Sequence, residues 1–341
     1  MTLDTPPAIR DADLLAELEE ARGKFTFEFV ARRLADRQAE RDRLAATPPS
    51  KRRRIETAAQ LAAKPPALAD LRHLHSVVAV VGLPYERLPT GQQHFARQQG
   101  SMALDVTAGY LRDTHGKALL QPIPFGPKAR LIMMHLCSEA IQQKSATIEI
   151  ADTFTGFVRD MGYSDSGGKR GPLTAFKEQL NALAACSMRL SVWNGESVRT
   201  RNITPIEQMD LWLANDPDQR SLWPSTVTFG PAMYESLKRH ALPLNAHVVR
   251  AFSASARKLD LYFWLGWRIH NIDAPLKLSW AALYDQFGGA NTDPRDFKRH
   301  FKHDLKEIKE VLERLPATLS ESGLTIEPAD PGVLALPVKS K

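Results

Sequence analysis

Asn291–Leu315 reads NTDPRDFKRHFKHDLKEIKEVLERL. Phe297, Phe301, Leu305, Ile308, Leu312 and Leu315 recur at steps of four, four, three, four and three, which traces one apolar stripe along an α-helix. The spacing predicts a helix from Asp293 to Leu315 with Asn291 or Thr292 as its N-cap. Arg295, Lys298, Arg299, Lys302, Lys306 and Lys309 fall off that stripe. Between 295 and 303 four Lys or Arg oppose one acid, Asp296, with His300 and His303 beside them. The second half alternates Lys and Glu, the composition of an ordinary salt-bridged surface. Positive charge is therefore concentrated at the start of the helix. A basic solvated face is the alternative to a ligand-binding one, and context separates the two.

The context is a recurring order of elements. Upstream, about 246–271 (with LDLYFWLGWRIHN) reads as one long apolar helix. DAPLKLSW, Asp273–Trp280, reads as a strand, and Trp280–Phe287 as a short helix closed by Gly288-Gly289. Downstream, Ser322-Gly323 turns between the strands Ala317–Ser320 and Leu324–Glu327. The same order occurs earlier: helix Pro127–Lys144, strand Ala146–Ile150, helix Thr153–Met161 after Asp152, turn Gly162–Gly171 and helix Pro172–Ala184. A hairpin follows around Asn194-Gly195, with strands Ser187–Trp193 and Val198 onward, and Thr226–Phe229 is a later strand able to extend that sheet. Helix, strand, helix, turn, helix, hairpin is the order of a winged helix. The expected fold is thus α+β and helix-rich, with two tandem winged-helix domains at 71–243 and 244–341. Residues 1–70 are expected to be a basic, partly helical or disordered arm. Its Ala12–Glu40 reads as helix, and Pro48-Pro49 and Pro65-Pro66 flank Lys51-Arg52-Arg53-Arg54.

A winged helix presents the N-terminal end of its second turn-helix to the DNA major groove. This makes Asn291, Thr292, Arg295, Lys298, Arg299, Lys302 and His303 the principal candidate contacts, since Arg and Lys bond guanine edges or phosphates. The earlier copy offers Lys169, Arg170, Thr174, Lys177 and Asn181, with Arg199 and Arg201 on its hairpin, as a weaker second set. Lys51, Arg52, Arg53 and Arg54 could add phosphate contacts through charge alone.

The bulk numbers agree. The 341 residues carry a formal charge of +6, with 43% apolar and 25% charged residues, an ordinary globular composition. No run approaches a membrane span, and the acid-bearing N-terminus lacks the apolar core of a signal peptide. Cys137 and Cys186 in apolar contexts read as buried thiols, so a cytoplasmic protein without disulfides, metal or cofactor is expected. Gly167-Gly168-Lys169-Arg170-Gly171 fails as a phosphate loop because Arg170 stands where a hydroxyl is required. Leu74–Leu83 (LHSVVAVVGL) reads as a buried strand, and His73-Leu74-His75 at its start matches the metal-binding strand of rolling-circle nickases. Tyr234 and Lys238 fit the Tyr-x-x-x-Lys of their nucleophile. Both patterns are short, far apart, and lack an evident third ligand.

Gly126–Ser191 (GPKARLIMMHLCSEAIQQKSATIEI…FVRDMGYSDSGGKRGPLTAFKEQLNALAACSMRLS), Leu83-Pro84-Tyr85, His240–Leu265 and Leu278–Gly288 resemble the RepA-type replication initiators of broad-host-range bacterial plasmids. The likeness runs from Leu83 to Val338. It implies a protein that binds repeated double-stranded origin sites, helps open the duplex and recruits the host initiator DnaA and the replicative helicase. It further implies a monomer–dimer equilibrium, autorepression and no enzymatic step. A rolling-circle nickase using His73, His75 and Tyr234, or a winged-helix transcription repressor, are the competing readings.

Overall fold

A computed structural model describes residues 9–113, 115–150, 154–164, 171–209, 226–289 and 293–337. It is a mixed α+β structure in which helix predominates and the sheets are small. The chain divides into two compact units at 56/57. In the first, α1 (Ala12–Glu20) and α2 (Phe27–Ala46) run antiparallel, and Leu14 and Leu34 are buried between them. Arg41 holds Asp11 and Asp13 at 2.6 and 2.7 Å, and Arg37 holds Glu17 at 2.7 Å. The single helix expected over Ala12–Glu40 is therefore two, parted near Gly23, whose φ of +77° suits glycine. A third helix, α3 (Pro49–Ala63), follows.

The second unit opens with β1 (Leu71–His75) and α4 (Ser76–Val81). The apolar run read as a strand to Leu83 turns helical because the His75 imidazole accepts from the Val77 N–H as an N-cap. Then come β2 (His94–Gln99), β3 (Met102–Thr107) and the hairpin β4 (Tyr110–Arg112) with β5 (Ala118–Leu120). Helix α5 (Gly126–Gln143), β6 (Thr147–Glu149), α6 (Phe154–Asp160), α7 (Pro172–Ala185), β7 (Ser187–Trp193) and β8 (Val198–Ile203) match the expected order within a residue or two. After β9 (Gln208–Met209) and β10 (Thr226–Thr228), α8 (Pro231–His240) leads to β11 (Ala241–Asn245) and α9 (Ala246–Phe252). The chain closes with α10 (Ala256–His270), β12 (Leu276–Ser279), α11 (Trp280–Phe287), α12 (Pro294–Val311), β13 (Ala317–Leu319) and β14 (Gly323–Ile326). Among the described residues no helix is long and apolar enough to cross a membrane.

Sheet pairing corrects the earlier hairpin. β7 and β8 join β2 and β3 in a four-stranded sheet of order β2-β3-β7-β8, so β10 does not extend them. β10 instead lies between β6 and β9. The order β6-β10-β9 is the order β12-β14-β13 of the C-terminal sheet, so the two halves share a sheet plan that β7–β8 interrupts. The long helix expected over 246–271 is also interrupted. Ser253 bonds the Met161 carbonyl through its hydroxyl (2.8 Å) and accepts at its own carbonyl from Tyr163 (2.7 Å). Two residues on, Ser255 caps α10.

One ion pair fastens α5 to α10. Arg130, 1% exposed, places Nε 2.5 Å and Nη2 2.6 Å from the two carboxylate oxygens of Asp260. Its remaining donors reach the carbonyls of Leu83 (2.6 Å), Pro84 (3.1 Å) and Gly126 (2.8 Å). Every N–H of the guanidinium is used, which is the condition for burying a charge at tolerable cost. Gly82 cannot be replaced there, since its φ is +72° and a Cβ would lie 2.5 Å from an Asp260 oxygen. Removing one member of such a pair strands the other charge and costs about 3–5 kcal/mol. Arg130→Met should therefore lower the urea-unfolding free energy by about that amount, and Arg130→Met with Asp260→Leu by less than the sum of the singles. A loss under about 1 kcal/mol in the Arg130 variant would refute the lock.

Candidate nucleic-acid interface

Helix α12 begins slightly later than a cap at Asn291 or Thr292 would place it. The Asp293 carboxylate is the N-cap, accepting from the Arg295 N–H at 2.7 Å, with Pro294 in the first turn. Asn291, Thr292, Lys169 and Arg170 lie outside the described residues, as does Asp152. Phe297, Phe301, Leu305 and Ile308 are buried as the stripe requires. Phe297 meets Tyr284 edge-on at 5.4 Å, and Phe301 meets Trp280 at 5.9 Å and Phe287 at 5.7 Å. Aromatic edges of α11 thus fix the rotation of α12 about its axis.

That rotation sorts the charges. Asp304 and Glu307 point inward and are buried against the start of α10, where Arg257 holds Asp304 at 3.0 Å and Lys258 holds Glu307. Burial pushes the Asp304 carboxyl above its ordinary value despite the two cations. Arg295, Arg299, Lys302, His303 and Lys306 remain exposed. Lys306, read as part of a balanced surface, therefore extends the cationic face by a further turn. Arg299 pairs with Asp296 at 2.9 Å, and His303 lies 3.4 Å from Glu307. Lys298 is half-buried over the Trp280 ring at 4.9 Å and 3.5 Å from Glu321, while Lys302 lies 5.9 Å from the same ring. Trp280 also donates to the Glu321 carbonyl at 3.1 Å, tying the start of α11 to the turn between β13 and β14. Sequence reasoning missed Trp280 because nothing in its spacing distinguishes it from a core aromatic.

Of the first-half candidates, Thr174, Lys177, Asn181, Arg199 and Arg201 fall within the described residues. Only Thr174 of α7 is exposed; Lys177 is half-buried, with its pKa lowered by that burial. Asn181 has its side-chain oxygen buried without a hydrogen-bond partner among the described residues. Arg199 and Arg201 sit on β8, in a different sheet from β6. In the N-terminal unit Arg52 donates to the Leu44 and Ala45 carbonyls (2.9 and 2.7 Å), capping α2, and Arg54 is buried. Lys51 stays exposed and Arg53 half-exposed.

The structure does bring His75 to α8, far away in sequence. Its Nε2 lies 2.9 Å from Ser236 Oγ, on the helix that carries Tyr234 and Lys238. With Nδ1 capping α4, both imidazole nitrogens are engaged. Among the described residues no group of three or more His, Cys, Asp or Glu could hold a metal ion.

Residues 123–282, just under half of the chain, match the family described as plasmid encoded RepA protein. This stretch runs from just before α5 into α11, so α12 lies beyond the match. Among solved structures, domains 2 and 3 of RctB align over 74% of this chain and 98% of theirs, at 12% identity and a TM-score of 0.49. A second RctB structure of domains 2–3 covers 72% of this chain and 85% of its own, at 12% identity and a TM-score of 0.46. No curated protein matches the chain.

Burial holds the His75 pKa down at about 4 and His135 at about 3, below an unfolded value near 6.5. A depressed histidine stabilises the fold fully above pH ~6.5, and that contribution is lost as pH falls toward the folded value. For His75 the loss between pH ~6.5 and ~4 is on the order of 3 kcal/mol. His75→Asn, which keeps an N-capping acceptor, should remove this share. Urea midpoints measured from pH 7 to 4.5 should fall less steeply in the variant; parallel slopes would show that His75 is not an acid-labile point.

Proposed function

We propose that this protein is a plasmid replication initiator that binds repeated double-stranded DNA sites through the exposed face of α12. The observation that carries the reading is the sorting of charge on that helix: Arg295, Arg299, Lys302 and Lys306 face outward while Asp304 and Glu307 are drawn in by Arg257 and Lys258. An exposed cationic helix start with a supporting hairpin is the geometry that enters a major groove. The RepA match across 123–282 supports the initiator assignment.

The finer reading is two tandem winged helices, at 71–243 and 244–341, behind an N-terminal arm of 1–70. The common sheet order β6-β10-β9 and β12-β14-β13 supports it. On this reading the hairpin partner of α7 is β9 with β10, rather than β7 with β8. The C-terminal head is the principal reader, because α7 offers only Thr174 as an exposed candidate. Among the arm's candidates Lys51 is the exposed one, since Arg52 donates to backbone carbonyls and Arg54 is buried. We further propose that the protein acts without catalysis in the cytoplasm, requires no cofactor, and opens the duplex by recruiting host DnaA and helicase. A monomer–dimer equilibrium and autorepression complete the proposal. Engagement of both His75 nitrogens supports the absence of a nicking step.

Binding to the repeats flanking its own gene should weaken steeply with salt as counterions are released. Arg299→Ala with Lys302→Ala should reduce specific affinity roughly tenfold to a hundredfold and non-specific affinity far less. Both side chains are exposed, so the fold should survive. Normal repeat binding by the double variant would place the reading head elsewhere. Incubation of supercoiled origin plasmid with Mg²⁺ or Mn²⁺ should leave it intact. Nicking abolished by Tyr234→Phe and by His75→Ala would overturn the non-enzymatic reading.

A further inference from the structure

Helix α10 carries a cation that no described residue neutralises. The Arg268 guanidinium is half-buried against two indole rings, 5.5 Å from the Trp264 centroid and 4.8 Å from that of Trp267. Its Nε is shielded from solvent without a hydrogen-bond partner among the described residues. Asp260 of the same helix is committed to Arg130 and Arg97. Burial lowers the Arg268 pKa, the mark of a charge that has lost water and gained no counter-ion. Charges withdrawn from water are normally paired, so this one lacks an anion. Arg268 lines a groove of about 610 Å³, bounded by β2 on one side and by Leu278, Ala282, Asp285 and Gln286 of β12 and α11 on the other. Asp285 is exposed and forms no ion pair with it. β2 is an outer strand of its sheet. Gly100-Ser101, with a φ of +53° at the glycine, is a two-residue turn that makes Gln99 and Met102 a hydrogen-bonded pair. By alternation Phe95, Arg97 and Gln99 bond β3, while Ala96 and Gln98 turn their N–H and C=O groups outward, on the groove that both residues line.

We infer that this groove binds an extended acidic segment of a partner protein, added as a strand along β2 with a carboxylate on Arg268. The chemistry has two halves, and both are needed. An open strand edge offers alternating donors and acceptors, which another extended backbone matches. A desolvated guanidinium held on two rings selects a carboxylate, to which it bonds in a fork. An acidic strand supplies both at once, and about six residues span β2. A phosphate chain would meet the cation but has no N–H to give the Ala96 and Gln98 carbonyls. A neutral strand would meet those carbonyls and leave the cation bare. β2 of a second copy, His94–Gln99 (HFARQQ), has no acid to offer. The site lies apart from the exposed face of α12, and the inference does not rest on DNA binding there.

The test uses the full chain and an array of fluorescein-labelled hexapeptides of alternating Thr and Val, with one Glu moved through the six positions. Anisotropy should report saturable binding for at least one register. Arg268→Met, which keeps a long stem against the indoles, should weaken it roughly tenfold. Gln98→Pro removes an outward N–H at an edge position where proline is tolerated, and should weaken it likewise. The backbone half is also tested on the ligand. N-methylation of alternate amides should abolish binding in one phase and spare it in the other, since strand pairing uses every second amide. Arg268→Met should leave duplex repeat binding unchanged, and Arg299→Ala with Lys302→Ala should leave peptide binding unchanged, so failure of one reading does not mimic failure of the other. The inference is overturned if no peptide in the array binds, if Arg268→Met binds normally, or if both N-methylated phases bind alike. Displacement of the peptide by an equal concentration of oligothymidine would assign the groove to nucleic acid and overturn it too. So would a dimer, seen by sedimentation, that Gln98→Pro abolishes, since the edge would then belong to a second copy.

Discussion

The buried pair of Arg130 and Asp260 is the constraint on which the second unit is built. Two charges this far from water are stable only when every donor and acceptor is met, and the chain is bent to meet them. Leu83, Pro84 and Gly126 give their carbonyls to Arg130, which fixes the path of the segment between α4 and β2 and the entry to α5. Gly82 must be glycine for the Asp260 carboxylate to come so close. Tyr85, half-buried, lies with its ring 4.8 Å from Arg97 and 5.4 Å from Arg130, and desolvation of its hydroxyl pushes it up to about 12. Since α5 leads the first half and α10 the second, one side-chain pair sets how the halves meet.

That junction reaches the candidate interface through α10. The helix bearing Asp260 also bears Arg257 and Lys258, one turn earlier and turned toward α12. They bind the two acids that would otherwise dilute the positive face of α12. The exposed charge pattern is thus a product of packing.

A second tie between the halves shows how the architecture repeats. β1 pairs antiparallel with β11, from Leu71 opposite Asn245 to His75 opposite Ala241. Each strand runs directly into a short helix capped by its own last side chain, His75 in one case and Asn245 in the other. Downstream of each lies helix, strand, helix, helix, and a sheet in which the last strand is central. The periodicity of apolar residues made the helices legible, because a buried stripe leaves a 3.6-residue record whatever it packs against. It could not reveal that Asn194-Gly195 turns a hairpin belonging to another sheet. Strand pairing is a contest among distant partners, and β3 wins β7 through six residue pairs.

The sequence alone therefore determined the order of helices and strands, the buried stripe of α12 and the cationic start of that helix. These are local properties, fixed by spacing and side-chain type. Only the tertiary structure decided that Lys306 belongs to the exposed face and that Arg52 caps a helix. Each of those outcomes depends on what a side chain meets across the fold, and chain separation hides that. The helix at 294–311 was visible from the start as a basic amphipathic segment. What it presents to solvent was settled by Arg257 and Lys258, some forty residues away in sequence and side by side with it in space.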